Sequence, residues 1–300
     1  MTILEIFKAI VYTAVFSLAI TPFDFRLASA IGAIDTPKDE RRMHKKPVPR
    51  IGGLSLFISF LLFCMIFCKE TSPLLGALLT GTVLVVVVGI IDDCNSLNAY
   101  TKLIIQLLAA VLTLSSDAFR ASNKELLFFS LSLIWVLTLT NAHNFIDGLD
   151  GLCAGISANE AVGLGVILWF SDLRSLALAS FVLGGACIGF LPYNAKNAKI
   201  FMGDTGSTFL GFLLGTVSAY AIGISRLLIL PFLFIFLVPL CDIAFAVTRR
   251  LVNGKNPFAP DRSHIHHLLA DRLGHAKASY ALRTISAILV AIGIGLFFLI

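Results

Sequence analysis

Four side chains able to ligate a metal or hydrogen-bond a nucleotide recur at every third position of one short stretch, NAHNFIDGLDG. They are Asn141, Asn144, Asp147 and Asp150. Residues three apart on a helix are surface neighbours, so Asn141 and Asn144 share a face. Gly148 and Gly151 admit backbone geometries closed to other residues, which places Asp147 and Asp150 on a turn. Carboxylate and carboxamide oxygens are hard ligands suited to Mg²⁺, which usually takes one or two protein ligands plus substrate phosphates. Loop-forming Asx turns are the plain alternative. His143, inside the same stretch, reads only as a loop residue.

Four further stretches carry related chemistry. IDDCNSLNAYTK sets Asp92 beside Asp93 at the end of an apolar run. Adjacent carboxylates repel, and a helix C-terminus favours cations, so a metal, a lysine or a proton must be near. Lys102 is placed to face a phosphate or to pair with these acids. NAKIFMGDTGS puts Asp204 at a helix N-terminus, where backbone N–H groups also attract phosphate; a simple N-cap is the alternative. Phe201, just upstream, suits stacking on a nucleobase or anchoring at a membrane interface. PFAPDRSHIHHL offers Arg262, His264, His266 and His267. The spacing is not HExxH and no paired cysteines accompany it, which argues against zinc and for hydrogen bonds to phosphate or sugar. DTPKDERRMHKKPVPRIGG contributes Lys45 within a basic cluster that suits anionic lipid and phosphate-rich substrate alike.

The elements that must position these residues are apolar. The 300-residue chain is 57% hydrophobic and 14% charged, with mean hydropathy +0.91; a soluble domain carries about 25% charged residues. The apolar residues fall in runs of roughly 15–22, long enough to cross about 30 Å of hydrocarbon as helix, and backbone satisfaction in lipid favours helices. The expected fold is all-α and polytopic, with ten transmembrane helices near 3–21, 51–68, 73–91, 101–116, 125–142, 152–170, 173–191, 206–223, 226–247 and 281–299. The N-terminal run lacks a basic flank and contains Glu5 and Lys8, so it reads as a retained span rather than a cleaved signal.

The chain is expected to form one integral membrane domain, 1–300. Its loops 22–50, 92–100, 143–151, 192–205 and 248–280, with flanking span ends, hold 17 of the 23 Lys and Arg residues. Lys8, Lys69, Arg120, Lys124, Arg174 and Arg226 lie on the other side. That bias makes the first set of loops cytoplasmic and both termini extracytoplasmic. The six cysteines form no CxxC pair and read as packing thiols. The net charge of +5 follows the loops and does not imply nucleic acid.

All five polar stretches fall on that one side. A transporter needs polar groups along a path through the bilayer, yet the spans are nearly charge-free except at their ends, with Glu5, Lys8, Glu160 and Asp242 as the exceptions. An intramembrane metalloprotease would need HExxH, which is missing. Acids for Mg²⁺, bases for phosphates and an aromatic on one rim suit phosphoryl transfer to or from a lipid.

The five stretches, in this order, resemble those of the polyprenyl-phosphate N-acetylhexosamine-1-phosphate transferases, over nearly the whole chain. PDRSHIHH is more similar to the branch that initiates O-antigen and common-antigen (lipopolysaccharide and cell-wall biogenesis) than to the lipid I branch, whose histidines run consecutively. The resemblance implies transfer of N-acetylhexosamine-1-phosphate from a UDP-sugar to undecaprenyl phosphate in the bacterial inner membrane, with UMP released. It implies Mg²⁺, with Mn²⁺ able to substitute, held by Asp204 and Asn144. Asp92 and Asp93 would be the acids nearest the chemistry, and Lys45 and Lys102 would hold phosphates. Phe201 would stack on uracil, Asp147 and Asp150 would line the nucleotide pocket, and Arg262, His264, His266 and His267 would contact pyrophosphate or sugar. A homodimer is compatible with the chain. One departure is visible: the family's DDxxD pattern reads DDCNS here, with Ser96 at the third acidic place, which favours Asp204 as principal ligand. Lipid I synthesis and transport of a nucleotide sugar or lipid-linked sugar are the alternative functions.

Overall fold

The computed structural model describes residues 2–36, 47–68, 73–122, 125–254 and 264–300. The chain is an all-α, multi-pass membrane protein. Helix α1 (Ile3–Ile31) opens with a capping box: Thr2 Oγ1 accepts the Glu5 N–H, and Glu5 accepts the Thr2 N–H at 2.6 Å. The helix runs ten residues beyond the expected span, through Pro22. A buried stripe at Ala9, Thr13, Ser17, Thr21, Asp24 and Ala28 explains the extension, because its helical period continues without interruption. Beyond Gly32 a short hairpin pairs β1 (Ile34–Asp35) with β2 (Val48–Pro49), Ile34 opposite Pro49.

The remaining helices are α2 (Gly53–Phe67), α3 (Pro73–Cys94), α4 (Ala99–Leu114), α5 (Asp117–Ser122), α6 (Leu126–Ile146), α7 (Leu152–Phe170), α8 (Arg174–Asn194), α9 (Gly203–Ile224), α10 (Ile229–Ile235), α11 (Leu237–Val252), α12 (Ile265–Leu273) and α13 (His275–Leu299). Each of the ten expected spans is helical. Among the described residues seven helices are long and apolar enough to cross a bilayer, α2 and α4 are shorter, and α10 with α11 forms a pair bent by 77°. Pro239 explains the break: it has no N–H to give the Ile235 carbonyl, so the ladder stops at Phe236.

The centre is α9, packed against α3, α6 and α2, with α7 and α8 almost as enclosed. These helices are rich in glycine, alanine and serine, which lets backbones approach where lipid provides no hydrophobic drive between helices. A Cβ on Gly211, for example, would stand 2.7 Å from Thr140 Cα. Helices α1 and α13 lie outside and present apolar side chains such as Phe7, Val15, Ile288 and Leu299.

Candidate active site

Ends of α3, α4, α6 and α9 meet at one rim. Gly203 opens α9 with φ 71°, the left-handed region that favours glycine, and a Cβ there would collide with the Arg50 carbonyl and the Asp93 carboxylate. Helix α9 has no side-chain cap of its own. Asp93 supplies it from α3, accepting the Asp204 N–H at 3.0 Å, the Thr205 N–H at 3.0 Å and the Thr205 hydroxyl at 2.6 Å. A carboxylate at a helix N-terminus is stabilised by the orphan N–H groups and the helix dipole. Arg50 completes the shell, with Nη2 3.1 Å from Asp93 Oδ1.

Asp204 is therefore not the cap, and its own carboxylate is released for other work. Lys102 Nζ lies 2.6 Å from Asp204 Oδ2 and 3.2 Å from Asp92 Oδ2, so one ammonium is shared by two carboxylates. Asp92 also accepts the Leu97 N–H at 2.7 Å. Arg50 Nη2 approaches Asp204 Oδ1 at 4.0 Å. On α6, Asn144 donates to Ser207 Oγ at 3.0 Å and faces the Asp204 carboxylate. Asn141, one turn earlier, donates to Gln106 Oε1 at 2.8 Å and to the Leu137 carbonyl at 2.8 Å.

The turn after α6 carries the two further acids. Asp147 keeps some contact with solvent, but surrounding atoms desolvate it, and the Asp204 and Asp93 carboxylates add to that, pushing its carboxyl well above the usual range. Asp150 Oδ2 accepts the Ala198 N–H at 2.9 Å, and its carbonyl accepts from Ser279 at 2.8 Å. Its carboxylate thus ties the α6–α7 turn to the α8–α9 loop. Phe201 is half-buried, and its backbone pairs with Pro49 and Gly52.

The histidines form a neighbouring cluster. His264 Nδ1 lies 2.8 Å from Asp242 Oδ2, and its Nε2 is 3.2 Å from Arg250 Nη2. His266 Nδ1 lies 3.1 Å from Asp242 Oδ1. The His267 ring is 4.2 Å from the His266 ring, centroid to centroid. Lys45 and Arg262 lie outside the described residues.

Comparison with known proteins decides the family. Residues 75–222 match the model for glycosyl transferase family 4. The chain is 38% identical to the probable undecaprenyl-phosphate N-acetylglucosaminyl 1-phosphate transferase of Bacillus subtilis, across 91% of this chain and 79% of that protein. It is 36% identical to the decaprenyl-phosphate N-acetylglucosaminephosphotransferase of Mycobacterium tuberculosis (83% and 72% covered). It is 30% identical to the undecaprenyl-phosphate alpha-N-acetylglucosaminyl 1-phosphate transferase of Escherichia coli K12 (97% and 83% covered). The chain belongs to the polyprenyl-phosphate N-acetylhexosamine-1-phosphate transferases.

In this transferase the structure brings Asp92, Asp93, Lys102, Asn144, Asp147 and Asp204 to one rim and sets His264, His266 and His267 beside the Asp147 turn, since a Cβ on Gly148 would stand 2.6 Å from His266 Nε2. One expectation is corrected. His143 is no loop residue: it is fully buried within α6, with Nδ1 2.8 Å from the Leu139 carbonyl and Nε2 2.7 Å from Glu160 Oε2. Burial of either partner alone would strand a charge or a polar group, so the pair accounts for Glu160 as well. Four residues of the site carry no role from the sequence: Arg50, Gln106, Asp242 and Arg250. Gln106 follows Lys102 by one helical turn, a spacing that could have flagged it. Asp242 and Arg250 are eight residues apart, the period of one helix face.

Proposed function

We propose that the chain transfers N-acetylhexosamine-1-phosphate from a UDP-sugar to undecaprenyl phosphate on the cytoplasmic face of a bacterial plasma membrane. UMP leaves, and undecaprenyl-diphospho-sugar remains. The names of the relatives make N-acetylglucosamine the first sugar to test. The lysine and arginine bias of the loops supports a cytoplasmic site. The carrying observation is that Asp204, freed from capping by Asp93, shares the Lys102 ammonium with Asp92.

The donor set suits a hard divalent cation. Asp204 and Asp92 present carboxylate oxygens at one rim, and the Asn144 side chain faces Asp204. Asn144 turns its amide nitrogen toward Ser207 here, so as a ligand it would present its other end. Mg²⁺ held by Asp204 and Asn144 would neutralise phosphate charge. The chain's own residues do the rest. Lys102 and Arg50 offset the repulsion between two anionic substrates. The lipid phosphate has its second pKa near 6 and is mostly dianionic at pH 7, so its oxygen needs no strong base. That oxygen attacks the sugar-bearing phosphorus, the bond to the UMP oxygen breaks, and UMP carries the electron pair away. Asp93 has both oxygens engaged at the α9 N-terminus, which favours direct attack over an aspartyl-phosphate on Asp93. Asp92 is left to position the acceptor.

Membranes containing the protein, supplied with Mg²⁺, undecaprenyl phosphate and a panel of UDP-sugars, should release UMP with at least one sugar. Absence of UMP with every sugar defeats the proposal. Asp204→Ala should abolish turnover while the protein still inserts. Positional isotope exchange in the UDP-sugar without lipid should be absent, and robust exchange would eliminate direct attack.

A further inference from the structure

We propose that Asp242 is a positioning residue for the nucleotide-sugar: it fixes the orientation of His264 and His266 and so seats the histidine segment against the Asp147–Gly148 turn. The inference rests on the proposed transferase activity. Asp242 comes from α11, His264 and His266 from the start of α12, yet all three are buried, at 3%, 5% and 1% exposure. The break at Phe236 turns α11 by 77° and carries Asp242 to the rim.

One carboxylate organises the cluster. An arginine can only donate, so His264 Nε2 accepts from Arg250 at 3.2 Å. The His264 proton is then on Nδ1, donated to Asp242 Oδ2 at 2.8 Å. The second carboxylate oxygen accepts from the His266 backbone N–H at 3.2 Å and faces His266 Nδ1 at 3.1 Å. Asp242 thus satisfies an orphan N–H in the first turn of α12 as well as both rings. Each carboxylate oxygen thus has an imidazole partner.

With Nδ1 committed, His266 has one nitrogen left. Among the described residues no hydrogen-bond partner reaches the buried Nε2, and a ligand that hydrogen-bonds it would relieve an unpaired buried polar atom. It lies against Gly148, where a Cβ would stand 2.6 Å away. Gly148 therefore admits the ring beside Asp147, and Asp242 holds the ring there. Loss of Asp242 leaves the other substrate-facing groups in place but frees both imidazoles to rotate.

The test is steady-state kinetics of the full chain in nanodiscs, varying UDP-N-acetylglucosamine and undecaprenyl phosphate separately. Asp242→Ala should raise KM for the nucleotide-sugar at least tenfold and leave KM for the lipid within twofold. Asp242→Asn, which keeps one acceptor, should fall between. His266→Ala combined with Asp242→Ala should be no more than twofold worse than the more damaging single change, because both remove one device. Gly148→Ala should raise the same KM with Asp242 intact. An unchanged nucleotide-sugar KM, equal rises in both KM values, or fully multiplicative effects overturn the inference. If Asp242→Ala does not fold, Asp242→Asn and Gly148→Ala decide in the same way. A wild-type protein that releases no UMP with any sugar sinks the transferase proposal and this inference together; an active wild type with unmoved KM values sinks only this one.

Discussion

Replacing Lys102 by methionine separates two jobs that one ammonium performs. At 2.6 Å from Asp204 Oδ2 and 3.2 Å from Asp92 Oδ2, its gross Coulomb attractions are about 6 and 5 kcal/mol at an effective dielectric constant near 20. Desolvation offsets most of that. A hydrogen bond to a charged group nets about 1.5–3 kcal/mol, and the lysine retains 24% side-chain exposure, which favours the lower end. A divalent cation that takes Asp204 Oδ2 must displace this ammonium. Lys102→Met should therefore tighten the apparent Mg²⁺ affinity by about 10-fold, up to 100-fold at the upper end, at 1.4 kcal/mol per factor of ten. Turnover should move the other way. The variant cannot offset charge on the transferring phosphate, and loss of one such donor elsewhere lowers kcat by about 10²–10³. UMP release measured against Mg²⁺ concentration reads both effects. A half-saturating Mg²⁺ concentration that stays put or rises would show that Lys102 does not compete for the metal position, and would remove Asp204 Oδ2 as the ligand atom.

Three further outcomes follow from the same geometry. Gly203→Ala introduces left-handed strain of about 1–3 kcal/mol and a clash with Asp93; it should lower the melting temperature in detergent and reduce turnover more than tenfold. Gln106→Leu removes the acceptor for Asn141, which keeps its Leu137 carbonyl; a loss of about 1 kcal/mol should appear as a roughly fivefold fall in kcat without loss of folded protein. Burial, with the Asp204 and Asp93 carboxylates, raises the pKa of the Asp147 carboxyl, so the stability it contributes is complete below the ordinary carboxylate pKa and is lost as pH rises through its raised value. In cation-free buffer Asp147→Asn should melt above wild type by a margin that widens with pH, and a constant margin would refute the assignment.

The helical character of the ten expected spans and the grouping of polar stretches on one rim were legible because both rest on local patterns. Apolar length fixes a helix, and lysine and arginine bias groups the loops. Helix ends were legible less well. The continuation of α1 through Pro22 is hard to read because the buried stripe that carries it is largely polar (Thr13, Ser17, Thr21, Asp24), and Asp24 finds its partner, the Ser55 N–H, only on α2. Likewise His143 was opaque because its partner, Glu160, lies 17 residues away on another helix. Residue type alone marked Asp242 only as an oddity within an apolar run; the bend after α10 gives it a purpose.

The acids of the rim illustrate why an inventory of residue types falls short of roles. Asp93 and Asp204 have equal chemical credentials in the sequence, and each could cap a helix or face a substrate. Chain geometry divides the work. Gly203 starts α9 in a left-handed conformation that leaves space for the Asp93 carboxylate beneath the first N–H groups. Once that position is filled by α3, the acid native to α9 is turned outward to Lys102 and Asn144. The same device recurs at α2, where Asp24 of α1 accepts the Ser55 N–H at 3.2 Å. Helices α2 and α9 begin side by side, with Gly53 against Gly206. Two helix starts capped from neighbouring helices are held by tertiary structure rather than by their own sequence, so the rim is positioned by the packing of the whole bundle. That is the arrangement expected where a charged site must keep its geometry while anionic substrates come and go.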